Sequence, residues 1–301
     1  MQRVEVKDIQ HITTRVPEMV SSPPLTLPTF KNDELLFNYH DAVIYGSDLA
    51  LIERREWLND SCIHFFFTLL QRQQQINVQT IDRSILFMDP SVVSFWMHLC
   101  TDEDEIDDFV KSTPFPGRGN NQNGMIFIAV NDKMSAHSSS YNNAWQVSGN
   151  GSHWSLLVIE TVSMKNLRFW HFDSVHNSGN IQAAEDIAAK LCLYVYPDAL
   201  IATKSHEKLV RQAETPKQVN GYDCGVHVLG AARIFSKYAC TIMPTSDRDN
   251  SGTSESSDRR LQDLEKCLRH EVGDDSQDFC SKLRHEISSE IRRLHREIKE
   301  G

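Results

Sequence analysis

Gln218-Val219-Asn220-Gly221-Tyr222-Asp223-Cys224-Gly225 sets a thiol and a side-chain amide at one turn, and an apolar run opens directly behind it. Val226, Val228, Leu229, Ala231, Ala232, Ile234 and Phe235 give that run the near-continuous hydrophobicity of a buried helix, read over Asp223 to Tyr238. Cys224 then falls in the first turn of the helix. There, unpaired backbone N–H groups and the positive end of the helix dipole favour the thiolate, the form that attacks carbonyl carbon. Gln218, upstream of the thiol, is placed to aim a side-chain N–H at the carbonyl oxygen under attack, an oxyanion-hole role.

A nucleophilic cysteine needs a base. His153 stands at the start of the apolar run Trp154-Ser155-Leu156-Leu157-Val158-Ile159, and Asp173 ends the aromatic run Phe169-Trp170-His171-Phe172. Both runs read as strands, with a loop from Glu160 to Leu167 between them. An antiparallel pair joined this way brings the start of the first strand beside the end of the second. Asp173 then reaches His153, fixes its tautomer and stabilises the imidazolium.

Each residue alone also has an ordinary reading. A cysteine in an apolar run is commonly a small core residue, His153 a strand-end histidine and Asp173 a turn residue; their order along the chain argues for catalysis. His171, two residues before Asp173 on the same face, competes with His153 for the role of base. Cys224 and His227 are three apart, with His171, His176 and His206 elsewhere. None of Cys62, Cys100, Cys192, Cys240, Cys267 and Cys280 has the paired spacing of a structural zinc site, so no metal is expected.

Together, Trp57-Leu58-Asn59-Asp60, His153-Trp154, Asp173, and Gln218 followed by Asp223-Cys224-Gly225 resemble the sentrin/SUMO-specific family of cysteine proteases, which cut ubiquitin-like modifiers. Met88-Asp89-Pro90-Ser91-Val92-Val93-Ser94-Phe95, Ile128-Ala129-Val130-Asn131-Asp132 and His153 to Val158 look most like its deneddylase branch. The resemblance covers about residues 38 to 240. It implies an α+β fold with a papain-like arrangement: a central, mostly antiparallel sheet flanked by helices, with the nucleophile at a helix N-terminus. It also implies a cysteine isopeptidase and C-terminal hydrolase that cleaves after a Gly-Gly tail without a cofactor. Cys224 would be the nucleophile, His153 the base, Asp173 its orienter and Gln218 an oxyanion donor, the His-Trp pair favouring His153 over His171.

By the same resemblance, Trp57 and Trp154 line the narrow passage for the tail. A diglycine has no side chain to recognise, so flat aromatic walls select it by excluding any Cβ, while backbone hydrogen bonds hold the extended strand. Ordinary core packing is the other reading of both tryptophans. Asp60 either meets a basic residue of the tail or caps the helix behind it. The expected partner is the neddylation modifier, with SUMO as the alternative. An acyltransferase on the same scaffold and a non-catalytic modifier-binding module are the other readings, and the intact Cys, His, Asp and Gln count against the last.

Composition bounds the rest. The 301 residues, 40% hydrophobic, suffice for one good-sized core with extensions. A net charge of −10 disfavours a nucleic-acid partner. Seven unpaired-looking cysteines, an N-terminus without a signal-like apolar core and no run of membrane-spanning length point to a reducing intracellular compartment, the cytoplasm or nucleus, away from membranes; a monomer is expected. The acidic run Asp102 to Asp108 reads as a solvated helix start or as a patch for a basic face of the modifier.

Four segments are expected. Residues 1–37, with Pro17, Pro23, Pro24 and Pro28, read as a flexible arm, residues 38–244 as the protease domain, 245–258 as a disordered linker and 259–301 as an amphipathic helical extension. Within the domain, a first strand is expected over 38–44, helices over 57–71, 89–99 and 181–194, strands over 125–130, 154–160 and 168–173, and a short strand over 200–203. The Ser-, Asn- and Gly-rich stretch 132–152 is expected to be a mobile lid beside His153. In the extension Phe279, Leu283, Ile287, Ile291, Leu294 and Ile298 recur every three or four residues, suited to packing on the domain or to binding a partner. A chain cut to residues 36–245 is expected to fold and cleave.

Overall fold

The apolar runs identified as strands form the centre of the molecule. In the computed structural model, which describes residues 30–77, 84–118, 123–135, 152–176, 178–202, 208–241 and 254–300, β3 (Ser84–Met88), β4 (Gly124–Asn131), β5 (Trp154–Ser163), β6 (Asn166–Phe172) and β7 (Val210–Gln212) make one sheet in the order β3-β4-β5-β6-β7. β4 is buried along its whole length, as expected of a strand covered on both faces. The middle of the sheet, β4-β5-β6, is antiparallel, whereas both outer pairings are parallel. The sheet is therefore mixed. β3 and β7 escape the reading from sequence because one follows a polar stretch and the other has three residues at an edge.

A separate hairpin, β1 (Leu35–Tyr39) and β2 (Ala42–Tyr45), precedes α1 (Gly46–Glu53). The single strand expected over 38–44 is thus two strands turned at His40, and the structured chain reaches into the end of the segment assigned to the arm. α2 (Asp60–Asn77) begins after Asn59, whose Oδ1 accepts from the Cys62 N–H at 2.9 Å. Asn59, rather than Asp60, is the cap. α3 (Pro90–His98) has Asp89 at its N-cap and proline at N1, as the sequence suggests. The acidic run enters α4 (Glu103–Ser112), which buries Ile106 and Val110 and turns its carboxylates outward.

α5 (Asn180–Tyr194) lies against the sheet and leads into α6 (Pro197–Ala202). The strand expected at 200–203 is overturned, because Pro197 and Asp198 are a helix start, which outweighs the β-branched Ile201. α7 (Cys224–Thr241) packs on β5 and carries the thiol at its first residue.

The C-terminal residues form α8 (Ser254–Val272) and α9 (Ser276–Glu300). Residues 254–258 are helical, which shortens the linker assigned to 245–258. α8 packs on α7, and α9 packs on α1, α7 and β1. Leu283, Ile287, Ile291 and Leu294 are buried by these contacts, whereas Ile298 is 52% exposed. Residues 136–151 of the expected lid lie outside the described residues. At its ends, the Asp132 carboxylate accepts from the Ser152 N–H at 2.8 Å and the Ser152 hydroxyl at 2.5 Å.

Candidate active site

The turn ahead of α7 is organised by Asn220. Its Oδ1 accepts from the backbone N–H of Tyr222 and of Asp223, each at 3.0 Å, and its Nδ2 donates to Asp223 Oδ2 at 2.7 Å. Side-chain closure of this kind is why asparagine favours turns. The Asp223 carbonyl accepts from the His227 N–H at 2.9 Å and starts the helix. Cys224 follows as the first helical residue, where its own N–H has no acceptor within the helix.

Gly225 lets another segment come close. A Cβ there would stand 3.1 Å from the Cβ of Leu58. This approach brings the Trp57 indole Nε1–H to Cys224 Sγ at 3.1 Å. A donor aimed at sulfur stabilises negative charge on it. Trp154 holds the same segment from the sheet side, donating its Nε1–H to the Leu58 carbonyl at 2.9 Å. The two tryptophans expected to share one role therefore differ. Trp57 is half-buried at the sulfur, whereas Trp154, only 3% exposed, anchors the loop that presents Trp57.

Pairing Leu156 with Phe172 places His153 and Asp173 at the same end of β5 and β6. His153 Nε2–H donates to Asp173 Oδ1 at 2.6 Å, and Cys224 stands near enough to the ring to favour its charged form. Burial works against a charged imidazole here, but Asp173 and Cys224 outweigh it and push His153 up to about 9. Burial likewise acts to raise Asp173, yet hydrogen bonds from His153, the Ser178 hydroxyl and the Val175 N–H hold it below the usual carboxylate range. Both directions favour an imidazolium–carboxylate pair. Asn180 Nδ2 lies 3.1 Å from the His153 carbonyl and 3.1 Å from that of Val130, locking the backbone under the base.

The competing histidines are put aside by burial. His171 is enclosed, bonded through Nε2 to Ser155 Oγ at 2.8 Å and pushed down to about 4. His227, one turn beyond Cys224, is pushed down to about 4 for the same reason. Both stay neutral at physiological pH. Among the described residues, no group of three or more His, Cys, Asp or Glu is arranged to hold a metal ion. All seven cysteines are free. Burial pushes Cys192 up to about 11 and Cys280 up to about 12, and moves Cys62, Cys100, Cys240 and Cys267 in the same direction. Burial thus favours the less nucleophilic thiol form at all six.

Gln218 is pinned between the end of β6 and the Asn220 turn. Its Oε1 accepts from the Ser174 hydroxyl at 2.7 Å and its Nε2 donates to the Asn220 carbonyl at 2.6 Å. An amide nitrogen carries two hydrogens, so this bond uses one and leaves a second donor on a side chain already fixed in place. Asp60 sits in the first turn of α2 and accepts from the Ser91 hydroxyl at 3.4 Å. Sequence reasoning missed Ser178 and Asn180, whose roles depend on the path after β6. It also missed Arg284, whose position on the apolar stripe of α9 between Leu283 and Ile287 is a signal in itself, since a buried arginine demands partners.

This geometry has a counterpart among known proteins. The model of the Ulp1 protease family, C-terminal catalytic domain, matches residues 56–250. The chain belongs to this family. Among Ulp1-family relatives it is 33% identical over 199 residues to a probable sentrin-specific protease 8 of Dictyostelium discoideum, spanning 66% of this chain and 73% of that protein. It is 29% identical over 197 residues to the sentrin-specific protease 8 of Homo sapiens, spanning 65% and 79%. With the NEDD8-specific protease 1 of Arabidopsis thaliana the identity is 28% over 207 residues, spanning 69% and 77%. A solved structure described as that of the de-sumoylating protease superposes with a TM-score of 0.54 at 16% identity, covering 88% of this chain and 93% of that one. The fold is therefore that of the Ulp1 proteases, and the chain is a cysteine peptidase of α+β class.

Proposed function

We propose that this peptidase is a deneddylase, cleaving after the Gly-Gly tail of the neddylation modifier in precursors and isopeptide conjugates. The carrying observation is the His153–Asp173 pair at 2.6 Å, with Cys224 near enough to favour the charged ring, in a chain whose relatives are named as NEDD8-specific and sentrin-specific proteases. Cys224 sulfur attacks the carbonyl carbon of the terminal glycine. The developing oxyanion is met by the Cys224 N–H and the Gln218 amide. His153, held as imidazolium by Asp173, gives its proton to the leaving amine as the C–N bond breaks. It then takes a proton from the water that opens the thioester, and as the C–S bond breaks the modifier carboxylate is freed and the thiolate–imidazolium pair is restored. Trp57, in contact with the sulfur, forms a wall of the passage for a tail without side chains.

The test is a panel of the neddylation modifier, SUMO and ubiquitin, each carrying a C-terminal electrophile. The expected result is a covalent adduct on Cys224 that forms fastest with the neddylation modifier and is lost in Cys224→Ala. Equal or faster capture of SUMO would overturn the modifier assignment, and capture undiminished by Cys224→Ala would overturn the nucleophile.

A further inference from the structure

Arg284 lies in the middle of α9, beyond residue 250 where the family match ends, and is 4% exposed. A guanidinium has five N–H donors in a rigid fork, and here each is used. Nε donates to Asp223 Oδ1 at 2.8 Å, Nη1 to the carbonyls of Leu51 and Ile52 at 3.1 and 3.3 Å, and Nη2 to the carbonyls of Glu56 and Tyr222 at 2.9 and 3.1 Å.

The acceptors belong to two segments far apart in sequence, residues 51–56 and 222–223. Leu51 and Ile52 lie in the last turn of α1, where the carbonyls have no acceptor role within the helix and attract a cation. Arg55 follows in the left-handed region at φ 57°, and the Glu56 N–H closes onto the Leu51 carbonyl at 2.9 Å, so the chain turns sharply toward Trp57. Tyr222 and Asp223 belong to the turn that delivers the thiol. One side chain thus holds the residue immediately before Trp57 and the residue immediately before Cys224. The contact between these two neighbours, Trp57 Nε1 to Cys224 Sγ, is the one that puts a donor on the sulfur.

We propose that Arg284 is a positioning residue for the peptidase reaction: by clamping Glu56 to Asp223 it sets the placement of Trp57 against Cys224, which makes α9 part of the catalytic frame. This rests on the peptidase reading but not on which modifier is cut. A lysine at 284 keeps the charge facing Asp223 but has a single point-like head that cannot span all five acceptors.

The test uses the full chain with Arg284→Lys and, as a second variant, Asp223→Asn, which leaves the guanidinium and its carbonyl bonds. Folding is checked by thermal melts. Iodoacetamide capture of Cys224, followed across pH by peptide mass spectrometry, reports the sulfur without any modifier, and kcat and KM are measured separately on a fluorogenic modifier C-terminal amide. For folded Arg284→Lys the expected result is a kcat lower by about tenfold or more with KM within about twofold, together with a Cys224 capture profile displaced to higher pH. A kcat per folded molecule and a capture profile that both coincide with wild type would overturn the proposal. If Arg284→Lys does not fold, Asp223→Asn decides by the same two readouts. A wrong modifier assignment shows as a failed fluorogenic substrate with the capture shift intact, so the two failures are distinguishable.

Discussion

At His153 two opposing effects meet, and the balance sets how the enzyme responds to pH. Desolvation disfavours the imidazolium, but Asp173 at 2.6 Å and the neighbouring Cys224 favour it more, so the ring titrates at about 9 against about 6.5 for a free histidine. A pKa raised on folding contributes stability that is fully present below the unfolded value and is lost as pH rises through the folded one. The melting temperature of wild type minus that of His153→Gln should therefore be largest below about pH 6.5 and shrink toward pH 9. The same proton is the one given to the leaving amine. Turnover of an amide substrate should accordingly fall as pH passes about 9. A stability difference that grows between pH 6.5 and 9 would show that the ring is not held as imidazolium in the folded enzyme.

Among the elements, those that carry chemistry were the most legible. A thiol before an apolar run, a histidine before one strand and an aspartate after the next constrain one another, because antiparallel pairing leaves few ways to arrange them. The strand order at the sheet's edges was not legible, since β7 has three residues and owes its place to parallel pairing with β6. Nor was the clasp between helices. Gly230 lies inside α7, and a Cβ there would stand 2.6 Å from ring atoms of Phe279 on α9. Gly230→Ala gains about 1 kcal/mol of helix propensity but must displace that ring, at roughly 1–3 kcal/mol for overpacking. Net destabilisation is expected, visible as a lower melting temperature. Because α9 moves with Phe279 and carries Arg284, turnover should drop as well. A more stable and fully active Gly230→Ala would mean that the two helices are not closely seated.

For the whole molecule, the resemblance read from sequence ends near residue 240, yet the folded unit does not. Leu261, Leu264, Leu268 and Val272 of α8 are buried, as are Cys280, Leu283, Ile287, Ile291 and Leu294 of α9. A fully buried side chain of this size contributes roughly 1.5–3 kcal/mol, so these together match or exceed the ~5–15 kcal/mol by which a typical domain is stable. Removing them would also expose the faces of α1 and α7 they cover and leave the Asp223 carboxylate without its cation. Losing one partner of such a buried pair costs about 3–5 kcal/mol. Arg260 of α8 lies 3.6 Å from buried Glu160 on β5, adding to Arg168, which pairs with the same carboxylate at 2.8 Å. The expectation that residues 36–245 suffice is therefore reversed. A chain ending at 245 should lack a cooperative melt and lose both turnover and selective capture of Cys224, whereas a chain starting at residue 30 and ending at 300 should keep all three. A sharp melt with wild-type turnover from the shorter chain would show that the C-terminal helices only decorate a domain already complete without them.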